Sequence, residues 1–266
     1  MKTDIQLLKQ LRDISFAPMK DCKDALMEAN GDLNQAQEIL KTKGILKAGK
    51  RADRETKEGF IKLEKKDGKI FGLKILCETD FVAKNENFRA LVDQLFEKVL
   101  SIKKDISSLS DMDENMLNEM NEMINEFIGK IGENIKIGDV LVTSKNAYIY
   151  NHPGNKVASV IYYDGGDDST AKEIALQVAA MNPLYLNFES VPEDYRNSLL
   201  TKFKEEMKDS GKPENILNQI IDGKLKKELA DMVLLEQEYI RDGSKKVKEI
   251  IPNDFKLIDF IRISIN

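Results

Sequence analysis

One pattern, present at two places in the chain, most restricts its fold: two short strands around a glycine turn, an acidic connection, then an amphipathic helix. In the first copy Phe60 to Glu64 and Ile70 to Cys77 read as strands around the turn Lys66-Asp67-Gly68-Lys69. Asp-Gly supplies the two residues that a tight hairpin asks for. Glu78-Thr79-Asp80 then leads to a helix with Phe88, Leu91, Val92, Leu95, Phe96 and Val99 along one face. In the second copy Ala147 to His152 and Lys156 to Tyr163 flank Pro153-Gly154-Asn155, Asp164 to Asp168 connects, and Ala171, Ile174, Ala175, Val178 and Ala179 share a helix face. A lone hairpin leaves its apolar face in water, and a helix laid across that face buries both. The expected fold class is α+β, with two related subdomains built on antiparallel sheets.

The remaining segments attach to this frame. Residues 1–46 read as a three-helix module, with Leu7, Leu8 and Leu11, then Cys22, Ala25, Leu26 and Ala29, then Leu33, Ala36, Ile39 and Leu40 as its inner faces. Asn30-Gly31 stops the second helix, Asp32 caps the third and Gly44 ends it. Residues 47–58 are charged, lack apolar periodicity and read as a linker. A core N-subdomain is expected at 59–139, including an amphipathic helix with Met116, Leu117, Met120, Met123, Ile124, Phe127 and Ile128 turned to the core. A core C-subdomain is expected at 140–266. Within it, at about 190–230, apolar stripes from Tyr195 to Met207 and from Ile216 to Leu229 flank Gly211-Lys212-Pro213 and read as an inserted antiparallel helical hairpin. Such a hairpin has little core beyond its seam and is expected to project as a contact arm. Ser244 to Ile251 reads as a short helix, and Leu257 to Ile265 as a final strand.

The chemistry-bearing residues are sparse. One histidine, His152, and two cysteines, Cys22 and Cys77, cannot make a zinc site of the usual Cys and His pairs. Any nucleophilic triad would have to use His152, and no GxSxG elbow is present. Gly44, Gly49 and Lys50 fit a phosphate-loop spacing, but Arg51 stands where magnesium needs Ser or Thr. A net charge of −5 argues against general nucleic-acid binding, and the Lys41 to Arg54 basic stretch reads as a solvated linker. No run approaches the roughly 18 apolar residues of a membrane span, and the first residues lack a signal-peptide core, so a cytoplasmic location is expected. Thr79-Asp80-Phe81-Val82 is the most informative connection. Periodicity alone tucks Phe81 under the sheet, whereas an exposed aromatic beside a carboxylate would suit insertion into a partner. His152, beside the Pro153-Gly154 turn, suits partner contact better than acid–base work.

At these residues the chain resembles the elongation factor Ts family. The resemblance rests on Leu11-Arg12, Met19, Asp21-Cys22-Lys23, Ala25-Leu26 and Glu28 to Asp32. It continues through Glu78 to Lys84, Lys130 to Ile135, Ser210 to Pro213, Leu234 to Gln237 and Phe260-Ile261-Arg262. It implies a ubiquitin-associated-like N-terminal module and no covalent chemistry or cofactor. It further implies that the Thr79, Asp80, Phe81, Val82 tip disturbs the Mg²⁺ site of elongation factor Tu, while Arg12, Met19, Ile131, Gly132 and His152 contact the same partner. Under this reading the helical hairpin pairs two chains, contacts Tu, or does neither. Phe16 departs from a glycine in the family's first loop, Gly138-Asp139 from a basic pair, and the chain stops soon after Arg262, where some members carry an extra helix. The competing expectation is a non-catalytic adaptor built on the N-terminal module.

Overall fold

The computed structural model describes residues 5–15, 17, 19–49, 51–208 and 213–265. Phe16, Lys50 and Ser210-Gly211-Lys212 lie outside the described residues. The chain divides into two compact units: Met1–Ser144 with Pro153–Val157 and Ile263–Asn266, and Lys145–His152 with Ala158–Arg262.

The first unit opens with helices α1 (Ile5–Ser15), α2 (Met19–Glu28) and α3 (Leu33–Gly49). Leu11, Ala17, Cys22, Ala25, Leu26, Ala29 and Ala36 bury together, with Leu7, Leu8, Leu33, Ile39 and Leu40 half-buried around them. Asn30 and Gly31 take positive φ of 51° and 90° after α2, and Asp32 accepts from the Gln35 amide at 2.9 Å to cap α3. Gly44 does not end α3. The helix runs on to Gly49 and packs against α6 (Glu114–Ile131), with Gly44 set against Gly129. Two glycines facing each other let the helix backbones come closer than side chains would allow. Gly44 and Gly49 therefore lie in a helix, which is incompatible with a phosphate loop.

After Gly49 only a short irregular stretch, Arg51 to Lys57, precedes β1 (Glu58–Lys66). Strands β1, β2 (Lys69–Cys77) and β3 (Ile135–Thr143) pair antiparallel in that order. Asp67 and Gly68, at φ 51° and 75°, close the β1–β2 hairpin as the two-residue turn expected of Asp-Gly. Alternate β2 residues Phe71, Leu73, Ile75 and Cys77 face α5 (Glu86–Leu100) and α6. All six apolar positions expected on α5 are buried, as are Met120, Ile124 and Ile128 of α6. Lys74 pairs with Asp139 and Ile75 with Ile137, so Gly138 is the extra residue of a β-bulge. The stem of Lys74 lies over it, 2.7 Å from where a Cβ would sit. The boundary expected at 139 falls inside β3.

The second unit carries β4 (Ala147–Asn151), β5 (Val157–Asp164) and β8 (Lys256–Ser264) in the order β4-β5-β8, with β4 and β5 antiparallel. Helix α7 (Asp168–Met181) buries Ala171, Ile174, Ala175, Val178 and Ala179. The fold is α+β, as expected. Helices α8 (Glu193–Glu206) and α9 (Glu214–Ala230) form the inserted hairpin, and it has more core than a seam. Val191, Leu199, Phe203, Ile221, Leu229 and Val233 bury together, with Tyr185, Phe188 and Met232 packed on them. Ser244 to Ile251 is not a helix. Strands β6 (Glu238–Tyr239) and β7 (Asp242–Lys246) pair there, and only Val247–Glu249 turns helically. Buried Gln177 anchors β6, the strand opposite: its amide donates to Gln237 Oε1 and to the Glu238 carbonyl, and its oxygen accepts from the Ile240 amide. A buried amide left unpaired costs about 1–3 kcal/mol, which favours an extended backbone at 237–240, and the later strand pairs with it, Glu238 opposite Lys246.

Candidate functional site

The connection after β2 is built around Thr79. Its backbone is extended (φ −124°, ψ 157°), and its hydroxyl accepts from the Val82 amide at 3.4 Å, capping a five-residue helix, α4 (Asp80–Lys84). Asn85 ends α4 and at once caps α5 by accepting from the Asn87 amide at 2.8 Å. On so short a helix the direction of each side chain follows from the cap. Val82 and Ala83 turn inward and are buried, which leaves Phe81 turned to solvent, 82% exposed. Burying a Phe would have contributed about 1.5–3 kcal/mol. The tucked position that periodicity suggests for Phe81 is therefore not the one adopted.

Asp80, beside it, meets Lys84 one turn on at 2.7 Å. The Lys84 ammonium holds the Asp80 carboxyl below its ordinary range, and Lys84 is raised in return. Asp80 thus stays ionised throughout the neutral range. The exposed tip is an aromatic ring next to a permanent negative charge.

Two residues that periodicity did not single out hold this tip. Glu133 accepts from the Thr79 hydroxyl at 2.7 Å and from the Thr79 amide at 3.0 Å. Asn134, 3% exposed, donates its amide to Glu78 Oε1 at 2.5 Å, and its side chain donates to the Ala52 and Arg54 carbonyls at 3.2 and 2.8 Å. Arg54 also reaches Glu78 at 3.4 Å. Gly132 makes this possible: at φ 87° it caps α6 in the left-handed region and turns the chain back toward β2. The only signal in the sequence was the Lys130 to Ile135 run itself, which carried the family resemblance without revealing what it touches.

The other expected contact residues divide between the units. Arg12 and Met19 are exposed on α1 and α2 of the first unit. Ile131 and Gly132 are half-buried in that unit, and Ile131 lines a cavity of about 400 Å³ between α5 and α6 with Leu91, Met123 and Phe127. His152 is exposed and belongs to the second unit, where its Nδ1 lies 3.0 Å from the Tyr150 hydroxyl. Among the described residues no group of three His, Cys, Asp or Glu side chains could hold a metal ion, and no helix is long and apolar enough to cross a membrane.

Cys77 sits behind the tip, its thiol donating to the Thr79 carbonyl at 3.3 Å. Burial, with the charges of Glu133 and Glu58 adding to it, pushes this thiol up to about 12. At pH 8 the thiolate fraction is then on the order of 10³-fold below that of an ordinary thiol. Iodoacetamide should therefore label Cys77 at least that much more slowly in the folded protein than in urea. Comparable rates, read by peptide mass, would contradict its enclosure.

The geometry meets its family in the comparisons. The family profile described as Elongation factor TS matches residues 78–266, beginning one residue before Thr79. The chain belongs to the elongation factor Ts family. The elongation factor Ts of Hydrogenobaculum sp. (strain Y04AAS1) is 38% identical over 272 residues, covering 100% of this chain and 99% of that protein. That of Aquifex aeolicus (strain VF5) is 35% identical over 270 residues, covering 94% and 92%. That of Hydrogenovibrio crunogenus (strain DSM 25203 / XCL-2) is 34% identical over 273 residues, covering 100% and 92%. In this elongation factor Ts family member the tip and the Glu133-Asn134 clamp both lie inside the profile match, while the N-terminal module is reached by the full-length alignments.

Proposed function

We propose that this protein is a guanine nucleotide exchange factor for elongation factor Tu in translation elongation, working in the cytoplasm. It binds Tu carrying GDP and promotes GDP release until GTP takes its place. The Thr79, Asp80, Phe81, Val82 tip enters beside the Mg²⁺ of Tu, and Arg12, Met19, Ile131, Gly132 and His152 contact other parts of the same partner. Mg²⁺ neutralises the phosphates of the bound nucleotide, so displacing the groups that hold it loosens GDP. A negative carboxylate and a rigid ring suit that task, one by competing for the ion's surroundings and the other by wedging into an apolar space. No bond is made or broken, so no catalytic constellation is required of this chain.

The observation that carries the reading is the Phe81 ring, 82% exposed beside ionised Asp80 on a helix start held from behind. An adaptor working through its N-terminal module has no use for that tip. The coupling is reciprocal: whatever factor weakens GDP binding to Tu is itself weakened equally by GDP, and GTP in excess then displaces it. The test is stopped-flow release of a fluorescent GDP analogue from Tu of the same source. Saturating protein should accelerate release about 10²-fold, at the upper end of what coupling between two sites delivers. No acceleration by folded protein would sink the reading.

A further inference from the structure

We propose that Glu133 and Asn134 are positioning residues for the Thr79–Val82 tip, and that they tie its pose to the segment arriving from the N-terminal module. This assignment rests on the exchange reading and deepens it. It adds residues whose work is done on this chain and not on the partner.

The hydrogen-bond chemistry is directional. The Thr79 hydroxyl has one proton and two lone pairs. Its proton goes to Glu133 Oε1, which leaves a lone pair for the Val82 amide that starts α4. The second Glu133 oxygen takes the Thr79 amide. One carboxylate therefore fixes both the backbone and the side chain of the residue that aims α4, through charge-assisted bonds that polarise the cap behind them. Phe81 lies two residues beyond Thr79, so freedom at Thr79 becomes displacement of the ring.

Asn134 works in the other direction. Both protons of its side-chain amide are used on the carbonyls of Ala52 and Arg54, and its backbone amide on Glu78. Within two residues the chain thus grips the tip, the residue before the tip, and the stretch that follows α3. The same α6 that ends at Gly132 also receives α3 through Gly129, so module, trailing segment and tip share one support within the first unit. A contact made by the module is in this way fixed in position relative to the tip.

The test uses the full chain and titrates it against Tu carrying a fluorescent GDP analogue, separating the limiting release rate from the half-saturating concentration. Glu133→Ala should lower the limiting rate about tenfold, the equivalent of losing one or two such bonds, while moving the half-saturating concentration less than about threefold. Thr79→Val, which loses only the hydroxyl, should lower it too, and Glu133→Ala with Thr79→Val should lose less than the sum of the two single losses, because both remove the bond between Thr79 and Glu133. Glu133→Gln keeps one acceptor and should recover part of the rate. Asn134→Ala should lower the limiting rate in the same way. Hydrogen exchange at the Val82 and Ala83 amides should quicken in Glu133→Ala, whatever the activity. If Glu133→Ala does not fold, Thr79→Val and Glu133→Gln carry the comparison. Unchanged limiting rates, additive losses, or Val82 protection untouched by Glu133→Ala would each overturn the proposal. Wild-type protein that fails to accelerate release would instead overturn the exchange reading, and the Val82 amide would still report on the clamp.

Discussion

Replacing Asp80 and Phe81 together by alanine should remove most of the acceleration of GDP release while leaving the fold intact. Aromatic anchors that enter a partner commonly cost 2 kcal/mol or more on truncation, and a paired charge beside one adds to it, so a loss on the order of 10²-fold is expected. The fold should not notice. Phe81 belongs to no core cluster, and the Asp80–Lys84 pair lies in solvent, where such pairs contribute little. Phe81→Leu should retain part of the activity, because it keeps apolar bulk without the ring. The loss should also be independent of pH between 6 and 8. Asp80 is held below its ordinary range, so it gains a proton only under more acidic conditions, and the tip keeps its charge across that window. Acceleration that survives the double variant would keep the function and move its origin to Arg12, Met19 and His152.

The second large effect concerns the seat of the N-terminal module, and it should be asymmetric. A Cβ added at Gly129 would meet the Gly44 Cα at 2.8 Å, backbone against backbone, with nothing flexible to give way. A Cβ added at Gly44 meets the Asn125 carbonyl and the Gly129 Cα at 3.5 Å, which is ordinary contact. Gly129→Ala should therefore push α3 from α6 and destabilise the docked module by about 1–3 kcal/mol. Gly44→Ala, inside a helix, should be neutral or stabilising by up to about 1 kcal/mol. Hydrogen exchange across α1 to α3 reads the difference. Equal effects of the two substitutions would contradict the close approach. In the release assay Gly129→Ala should raise the half-saturating concentration, because the contacts proposed for Arg12 and Met19 would then arrive on a loosened module.

The same two glycines show what was legible in the sequence. Gly44 reads as a helix stop because glycine often ends helices, and the residues around it give no sign of the partner helix that wants it small. Elements whose reason is local were plain: the α5 stripe from Phe88 to Val99, the Asp67-Gly68 turn, the Asn30-Gly31 stop and the Asp32 cap. Elements whose reason lies far along the chain were not. Ser244 to Ile251 has helix-compatible residues, but its first part pairs with the strand at Glu238, whose carbonyl is held by Gln177, 61 positions earlier in the chain. Phe81 illustrates the limit at the site itself. Periodicity counts apolar residues and sends them inward, and only the short capped helix beginning at Thr79 turns this one out. The clamp from Glu133 was invisible for the same reason, since 54 residues separate it from Thr79.

The interleaving of the chain has a consequence for its birth on the ribosome. The first unit takes in Pro153–Val157 and the last residues from Ile263, with Asn155 accepting from the Ile61 amide at 2.8 Å and the Ile265 amide donating to Lys156 at 3.0 Å. A ribosome at codon 144 has made the module, the sheet and the tip, yet not the two segments that finish their surroundings. Emerging domains ordinarily complete themselves in order, N-terminal first. A chain halted before Ile263 should therefore keep the core between Phe71 and Val142 but lack the Ile265–Lys156 bond, and protect the Pro153–Val157 stretch less well from proteases.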